Sequence, residues 1–137
     1  MREILFRAKR LDNGEWIEGY YLKCPHQYSG FLEDHISVSK YDEEEESSIE
    51  HIYPVDPETV CQYTGMTDRN GKKIFEGDIC KNLDGVFLVF FEYERCGFVM
   101  KFNDYLGEIL DMSEMWDDTK VIGNIFDNPK ELKEGAE

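Results

Sequence analysis

The sequence predicts a β-rich globular domain organised around a barrel-like sheet, and three observations carry that prediction. Hydrophobic residues make up 41% of the chain and aromatics 14%, with nine Phe and eight Tyr; this is too apolar for a disordered protein and suits pleated, half-buried strands. Short apolar runs alternate with turn residues, above all in Gln62–Cys80, QYTGMTDRNGKKIFEGDIC, where Asn70-Gly71 accepts the positive φ angles of a tight hairpin. At 137 residues the chain suits one domain over 1–137 with a single core, and two independent cores are not expected.

Taken in order, Ile4–Leu11 is strand-like. Asp12-Asn13-Gly14 turns the chain into Glu15–Tyr21, so the two segments form an antiparallel hairpin. Trp16 and Tyr20 share a face by the two-residue strand period and read as core aromatics, while Gly19 marks a bulge or a close packing contact. From Lys23 to Glu50 the pattern weakens: Pro25, Ser29 and Gly30 interrupt it, and Phe31–Ser39 offers one short strand. This stretch reads as an excursion from the barrel with Asp42–Ser48 as its mobile tip.

Asp56 before Pro57 reads as a cap on a single turn that delivers the chain into strand Val60–Tyr63. After the central hairpin, Tyr63 and Gly65 lie on its first arm, and Glu76-Gly77-Asp78 breaks the chain before Ile79. Gly77 removes the Cβ penalty there, and Asp78 accepts a local backbone N–H. The most apolar run, Val86–Phe91, is followed by a break near Arg95-Cys96-Gly97 and a partner strand, Phe98–Phe102. Leu106–Trp116 is ambiguous between strand and short helix. Val121–Phe126, with Gly123, reads as the last strand; Asn128 before Pro129 is placed to cap a short helix, and 130–137 is a tail.

Thirty acids against fifteen bases give a formal charge of −15, which repels a phosphate backbone and argues against direct nucleic-acid binding. Arg2, Arg7, Lys9 and Arg10 stand near the start while Asp42–Glu46 are consecutive acids, so the two segments are candidates to pair within a subunit or between subunits, although charge runs are usually solvated loops. No apolar run reaches membrane-spanning length, and MREILFRAKR lacks the apolar core of a signal peptide, so no membrane partner and a cytoplasmic location are expected. Cys24, Cys61, Cys80 and Cys96 are widely spaced and read as reduced thiols in or near the core.

Chemistry is sparse. No Gly-rich phosphate loop, nucleophile elbow or paired metal-ligand helix motif is present. Cys24, His26, His35 and His51 fall in or beside the excursion without the paired spacing of a zinc site, so neither metal nor cofactor is expected. Glu76 and Asp78 are the tempting carboxylate pair, yet turn chemistry alone accounts for them. No catalytic residue is assigned.

Phe6-Arg7-Ala8-Lys9, Gly14–Tyr20, the run Val55–Ile79 and Val121–Pro129 together resemble the YopX family of small phage and prophage proteins. The resemblance spans nearly the whole chain in family order, with Thr59–Ile79 its most specific part; Ala8 and Cys61 stand where glycine is expected. It implies an all-β core resembling an SH3-type barrel with an added excursion, at most short helical turns, and an origin in a phage or prophage of a bacterial host. It implies no catalytic or ligand residue.

The function expected on these grounds is that of a non-enzymatic accessory protein that binds a host or phage protein. An acidic DNA mimic blocking a host nucleic-acid-binding protein is the alternative, and a small hydrolase, without a nucleophile and base constellation, is a third reading. Self-association is expected as well. Val86, Leu88 and Phe90 share one face of their strand and Phe87, Val89, Phe91 and Tyr93 the other, and one small barrel buries only one of them. Phe87, Val89, Phe91 and Tyr93 are therefore the candidate interface, with Arg7 and Arg10 helping to orient the partner.

Overall fold

The computed structural model describes residues 3–25, 30–102, 106–109 and 118–134. The chain is mostly β-strand, in two antiparallel sheets that do not close. Its strands fall in two compact units, Met1–Gln62 and Tyr63–Glu137. The expected all-β class is what is observed, and its helical pieces are short, among them a 3-10 turn, Pro57–Thr59, and a six-residue helix α1, Pro129–Glu134.

In the first unit β1 (Phe6–Lys9) and β2 (Trp16–Pro25) form the expected hairpin, with Phe6 opposite Gly19 and Lys9 opposite Trp16. Glu15 N–H donates to Asn13 Oδ1 and Arg10 N–H to the Glu15 carbonyl, so the Asp12-Asn13-Gly14 turn is closed by its own residues. β1 also pairs with Cys61 and Gln62, the first residues of β5 (Cys61–Thr67). The expected cap is present: Asp56 accepts the Glu58 N–H at 3.0 Å, and Thr59 Oγ1 accepts from Lys9 N–H at 2.9 Å, tying the turn to β1.

The excursion differs from expectation. β3 runs Leu32–Asp42 and a second strand, β4, runs Ser47–Pro54, paired without a break from His35 opposite Pro54 to Asp42 opposite Ser47. β3 pairs with β2 from Tyr20–Ser37 to Pro25–Leu32, so the segment extends the sheet and ends in a tight turn, Glu43–Glu46, with Glu46 at φ 50°. Alternation places Ala8, Ile17, Tyr21, Ile36 and Val38 on one face, where they pack with Val55, Phe6 and Val60 into the first unit's core. The close approach of β2 to β3 depends on Gly19: a Cβ there would overlap the Ser37 carbonyl oxygen and press on Ile36 Cγ2 at 2.9 Å. Of the two readings of this glycine, the packing contact is the one observed.

In the second unit the rest of β5 pairs with β6 (Lys73–Phe75), and β7 (Asp78–Asn82), β8 (Gly85–Glu92), β9 (Gly97–Lys101), β10 (Leu106–Ile109) and β11 (Lys120–Asn124) form a sheet of order β10-β9-β8-β7-β11. Its buried apolar cluster holds Met66, Ile74, Cys80, Phe87, Val89, Phe102 and Val121, with Phe98 and Met100 against it. Buried apolar residues thus gather in two clusters, where length alone had argued for one core. Gly77, at φ 87°, joins three elements: its N–H donates to Val89 O at 2.7 Å and its carbonyl accepts Ile125 N–H at 2.9 Å. A side chain would be strained at that φ.

β11 stops at Asn124, and the expected strand end at Ile125 and Phe126 is a turn. Asn128 precedes α1 as expected, but its Oδ1 accepts the Asn124 N–H at 3.3 Å, and its side chain lies against Gly123. Of the ambiguous stretch Leu106–Trp116, only 106–109 is described, as strand; the remainder, like Arg2, His26, Ser29 and 135–137, lies outside the described residues.

Candidate interaction surface

The residues singled out from the sequence separate into a structural set and a surface set. Asp78 is 1% exposed, and its Oδ2 accepts the Phe75 N–H at 2.8 Å, closing the Glu76-Gly77 turn as expected. Glu76 beside it is half-buried rather than solvated. Tyr63 packs on Phe75 with ring centroids 5.5 Å apart and carries Lys73 over its ring. Gly65 and Gly71 both have positive φ, and Asn70 and Gly71 form the hairpin turn through Gly71 N–H to Asp68 O.

Asp68 escaped the sequence reading. It is buried, Oδ1 accepts the N–H groups of Asn70 and Lys72 at 2.9 Å each, and Oδ2 accepts that of Val121 at 3.0 Å. Burial pushes this carboxyl up, but the three N–H donors and the Lys72 charge outweigh it and hold the group below the usual carboxylate range. Its position inside a turn-forming run was the only signal in the sequence, and that signal points to the turn and not to β11.

The expected interface on β8 requires correction. Phe87 and Val89 are fully buried in the second unit's core, so they present nothing to a partner. Ile79 and Val99, on the opposite face of the same sheet, are also buried. The sequence argument assumed that one face would remain uncovered, and that premise does not hold here. Phe91 is half-buried and makes edge contacts with Phe98 and Tyr93; Tyr93 alone of the four is exposed.

Arg7 and Lys9 both lie over the Trp16 ring, at 4.8 and 5.3 Å from its centroid. Cation–π contact therefore uses Trp16 as a half-exposed platform and not as a core aromatic. Arg10 points to the other face, over the Tyr53 ring at 4.3 Å, and donates to Asp12, which holds the Asp12 carboxyl below its ordinary range.

Cys24 Sγ lies 3.2 Å from His35 Nδ1, a pairing with the look of a nucleophile and its base. Nδ1 is also 2.7 Å from the Glu33 carbonyl oxygen, which only accepts. Nδ1 therefore carries the proton and donates to Glu33, leaving it no lone pair for the thiol proton. His51 stacks on Tyr53 on the opposite face, and among the described residues no group of three or more His, Cys, Asp or Glu is placed to hold a metal. Cys61 and Cys80 are buried, Cys24 is half-buried and Cys96 is exposed in a turn. No helix among the described residues is long and apolar enough to cross a membrane.

Exposed large apolar side chains stand on both units, Leu83 and Tyr93 among them, and more of them on the first sheet. Tyr20, Tyr41 and Ile52 are exposed on one face of it and Leu32 and Ile49 on the other, and β4 is the edge strand. The YopX family model matches residues 5–133. The chain belongs to the YopX family. The fold of this YopX protein is similar to that of protein EF1440 from Enterococcus faecalis, in a crystal structure matched with a TM-score of 0.54 and 23% identity over 96% of this chain and 99% of that one. No curated protein matches the chain.

Proposed function

We propose that this YopX protein is a non-enzymatic phage or prophage accessory protein that acts in the bacterial cytoplasm by binding another protein. The observation that carries the reading is the exposure of Tyr20, Tyr41 and Ile52, on β2, β3 and β4, which strand register places on one face of the first unit's sheet. Exposed apolar groups so concentrated mark an interaction surface, and an edge strand adds main-chain donors and acceptors to it. The carboxylates that first invited a catalytic reading, Asp78 and its neighbour Glu76, belong to a turn in which Asp78 is occupied by a backbone N–H. An acidic mimic of DNA, which the charge of −15 favours, needs charges spaced along a rigid surface, whereas Glu43–Glu46 sit together in one turn.

The test is capture with the tagged full chain from a bacterial host lysate, followed by titration of the purified partner in a calorimeter. Saturable binding that weakens at least about tenfold with Tyr20→Ala or Tyr41→Ala is expected, since large aromatics dominate protein interfaces. Binding indifferent to both substitutions, or a basic nucleic-acid-binding partner displaced by duplex DNA, would overturn the reading.

A further inference from the structure

We propose that the second unit carries a binding site for a small phosphate monoester, whose phosphate is held by Arg69, Lys81 and Lys120 and whose organic part rests on Leu83. These four residues line a hollow of about 220 Å³ together with Asn82 and Asp118. The hollow reverses the balance of the chain: thirty acids face fifteen bases overall, yet here three cations meet one carboxylate. The proposal is independent of the face read above as a protein-binding surface, which lies in the first unit.

Strand register creates this cluster and withholds its neutralisation. Lys120 on β11 stands directly opposite Lys81 on β7, so the two side chains leave one face with Cβ atoms about 5 Å apart, an arrangement that costs stability between like charges. The other cross-strand mate of Lys81 is Val86, and β11 is the edge of its sheet, so neither lysine meets an acid across the described strands. Among the described residues no carboxylate forms an ion pair with Arg69, Lys81 or Lys120. Asp118, the acid on the rim, already accepts the Leu83 N–H through Oδ2 at 3.0 Å.

The rim is held by main-chain bonds. Arg69 N–H donates to Thr119 O at 2.9 Å, beside Lys120, and Val121 N–H donates to Asp68, so the central hairpin turn is fixed against the start of β11. Asn82 Oδ1 accepts the Asp84 N–H at 2.9 Å, which leaves its NH₂ as the end that can donate to a ligand. Only the long cationic side chains have to be ordered on binding.

Size and charge select the ligand. At about 220 Å³ the hollow is smaller than the roughly 300 Å³ at which sites begin to enclose a whole small molecule, so it takes a group and leaves the remainder outside. Three cations against one carboxylate leave two positive charges, which match the dianion of a phosphate monoester at neutral pH and exceed the single charge of a nucleic-acid diester. A guanidinium fork with two ammonium groups suits several oxygens on one phosphorus. Leu83, 85% exposed, offers the organic part an apolar contact at the rim. The overall charge of −15 does not decide the matter at contact distance, because salt screens it beyond about 8 Å.

The experiment titrates the full chain with phenyl phosphate in a calorimeter at constant ionic strength. Saturable binding with a Kd of about 1 mM or tighter is expected. Lys81→Met and Lys120→Met, which keep the aliphatic stem, are each expected to weaken it about fivefold or more. Dimethyl phosphate, a monoanion, is expected to bind at least about tenfold more weakly than phenyl phosphate. Leu83→Ala is expected to bring phenyl phosphate down to the affinity of inorganic phosphate and to leave inorganic phosphate unchanged. Without ligand, Lys81→Met should keep or raise Tm, because it relieves the like-charge pair, so lost binding is distinguished from lost folding. No saturation by phenyl phosphate up to about 10 mM, affinity unchanged in both lysine variants, equal affinity for dimethyl phosphate, or indifference to Leu83→Ala overturns the proposal. Each of these leaves the protein-binding reading to the capture experiment, which scores Tyr20 and Tyr41.

Discussion

Replacing Asp68 by alanine tests whether this buried carboxylate, and not the apolar cluster alone, fixes the second unit. The cost is worked from its three acceptor contacts. Asn70 and Lys72 are exposed, so water takes over their N–H groups and each lost bond costs on the order of 0.5 kcal/mol. The Val121 N–H is buried, and stranding it costs about 2–3 kcal/mol. The expected loss is therefore about 3–4 kcal/mol, or roughly 10–15 °C in Tm, read by circular dichroism on heating and by urea titration. The sign with pH is also set. The folded pKa lies below the unfolded one, so the unfolded chain binds more protons between them, and stability rises with pH through that window. The contribution is complete above the ordinary Asp pKa of about 3.9 and fades as pH falls through the depressed folded value. The gap between the native protein and Asp68→Asn should narrow accordingly in acid. A loss below about 1 kcal/mol for Asp68→Ala, or a gap that widens in acid, would refute the reasoning.

Gly19→Ala should destabilise by about 2–4 kcal/mol in the same assay, because the obstacle to a Cβ is the Ser37 carbonyl of a packed strand and not a movable side chain. Replacing Glu43–Glu46 by Asn-Gly should leave Tm within a few degrees, since every residue of that turn is exposed and a two-residue turn also closes an antiparallel hairpin; a larger loss would show the tip to be anchored. Duplex DNA and single-stranded RNA should not shift in a gel at physiological salt with micromolar protein, given the charge of −15. Dialysis against a chelator should leave the circular-dichroism melt unchanged, and stoichiometric zinc in the purified protein would contradict this.

Turns were legible because their chemistry is local. Asp12-Asn13-Gly14, Asp56-Pro57 and Asn70-Gly71 each close a structure with residues a few positions away, so the strands on either side could be placed. β4 was not legible for a physical reason: both of its faces are largely exposed, so SSIEHIYP has no buried side to impose an alternation. The same condition hid the exposed surface of this strand, since a strand with so little buried side chain leaves no pattern in its own sequence. On β8 the alternation was read correctly, but it states only that two faces exist; the burial of Phe87 and Val89 on one and of Ile79 and Val99 on the sheet's other face depends on distant segments. Asp68 reaches Val121 across 53 positions, a distance at which no local rule operates.

The residues that carry the family resemblance do a particular kind of work, and it bears on where function lies. Gly77 bonds to Val89 and Ile125, Asp78 to Phe75, and Asn128 to Asn124, while Asp68 bonds to Asn70, Lys72 and Val121. Each supplies a main-chain partner or a place where backbone passes close, and the two buried acids are committed to N–H donors. Asp68, which three N–H donors hold below the usual carboxylate range, is a poor proton carrier, because giving up its charge would weaken the bonds that position it. Thr59–Ile79 therefore identifies the chain by how it folds, and changes there should act on stability before they act on binding. Exposed Tyr20, Tyr41 and Ile52, by contrast, share one face of the first unit's sheet. If binding is the function, substitutions there should change affinity with little effect on Tm, and those at Asp68 or Gly77 should do the reverse.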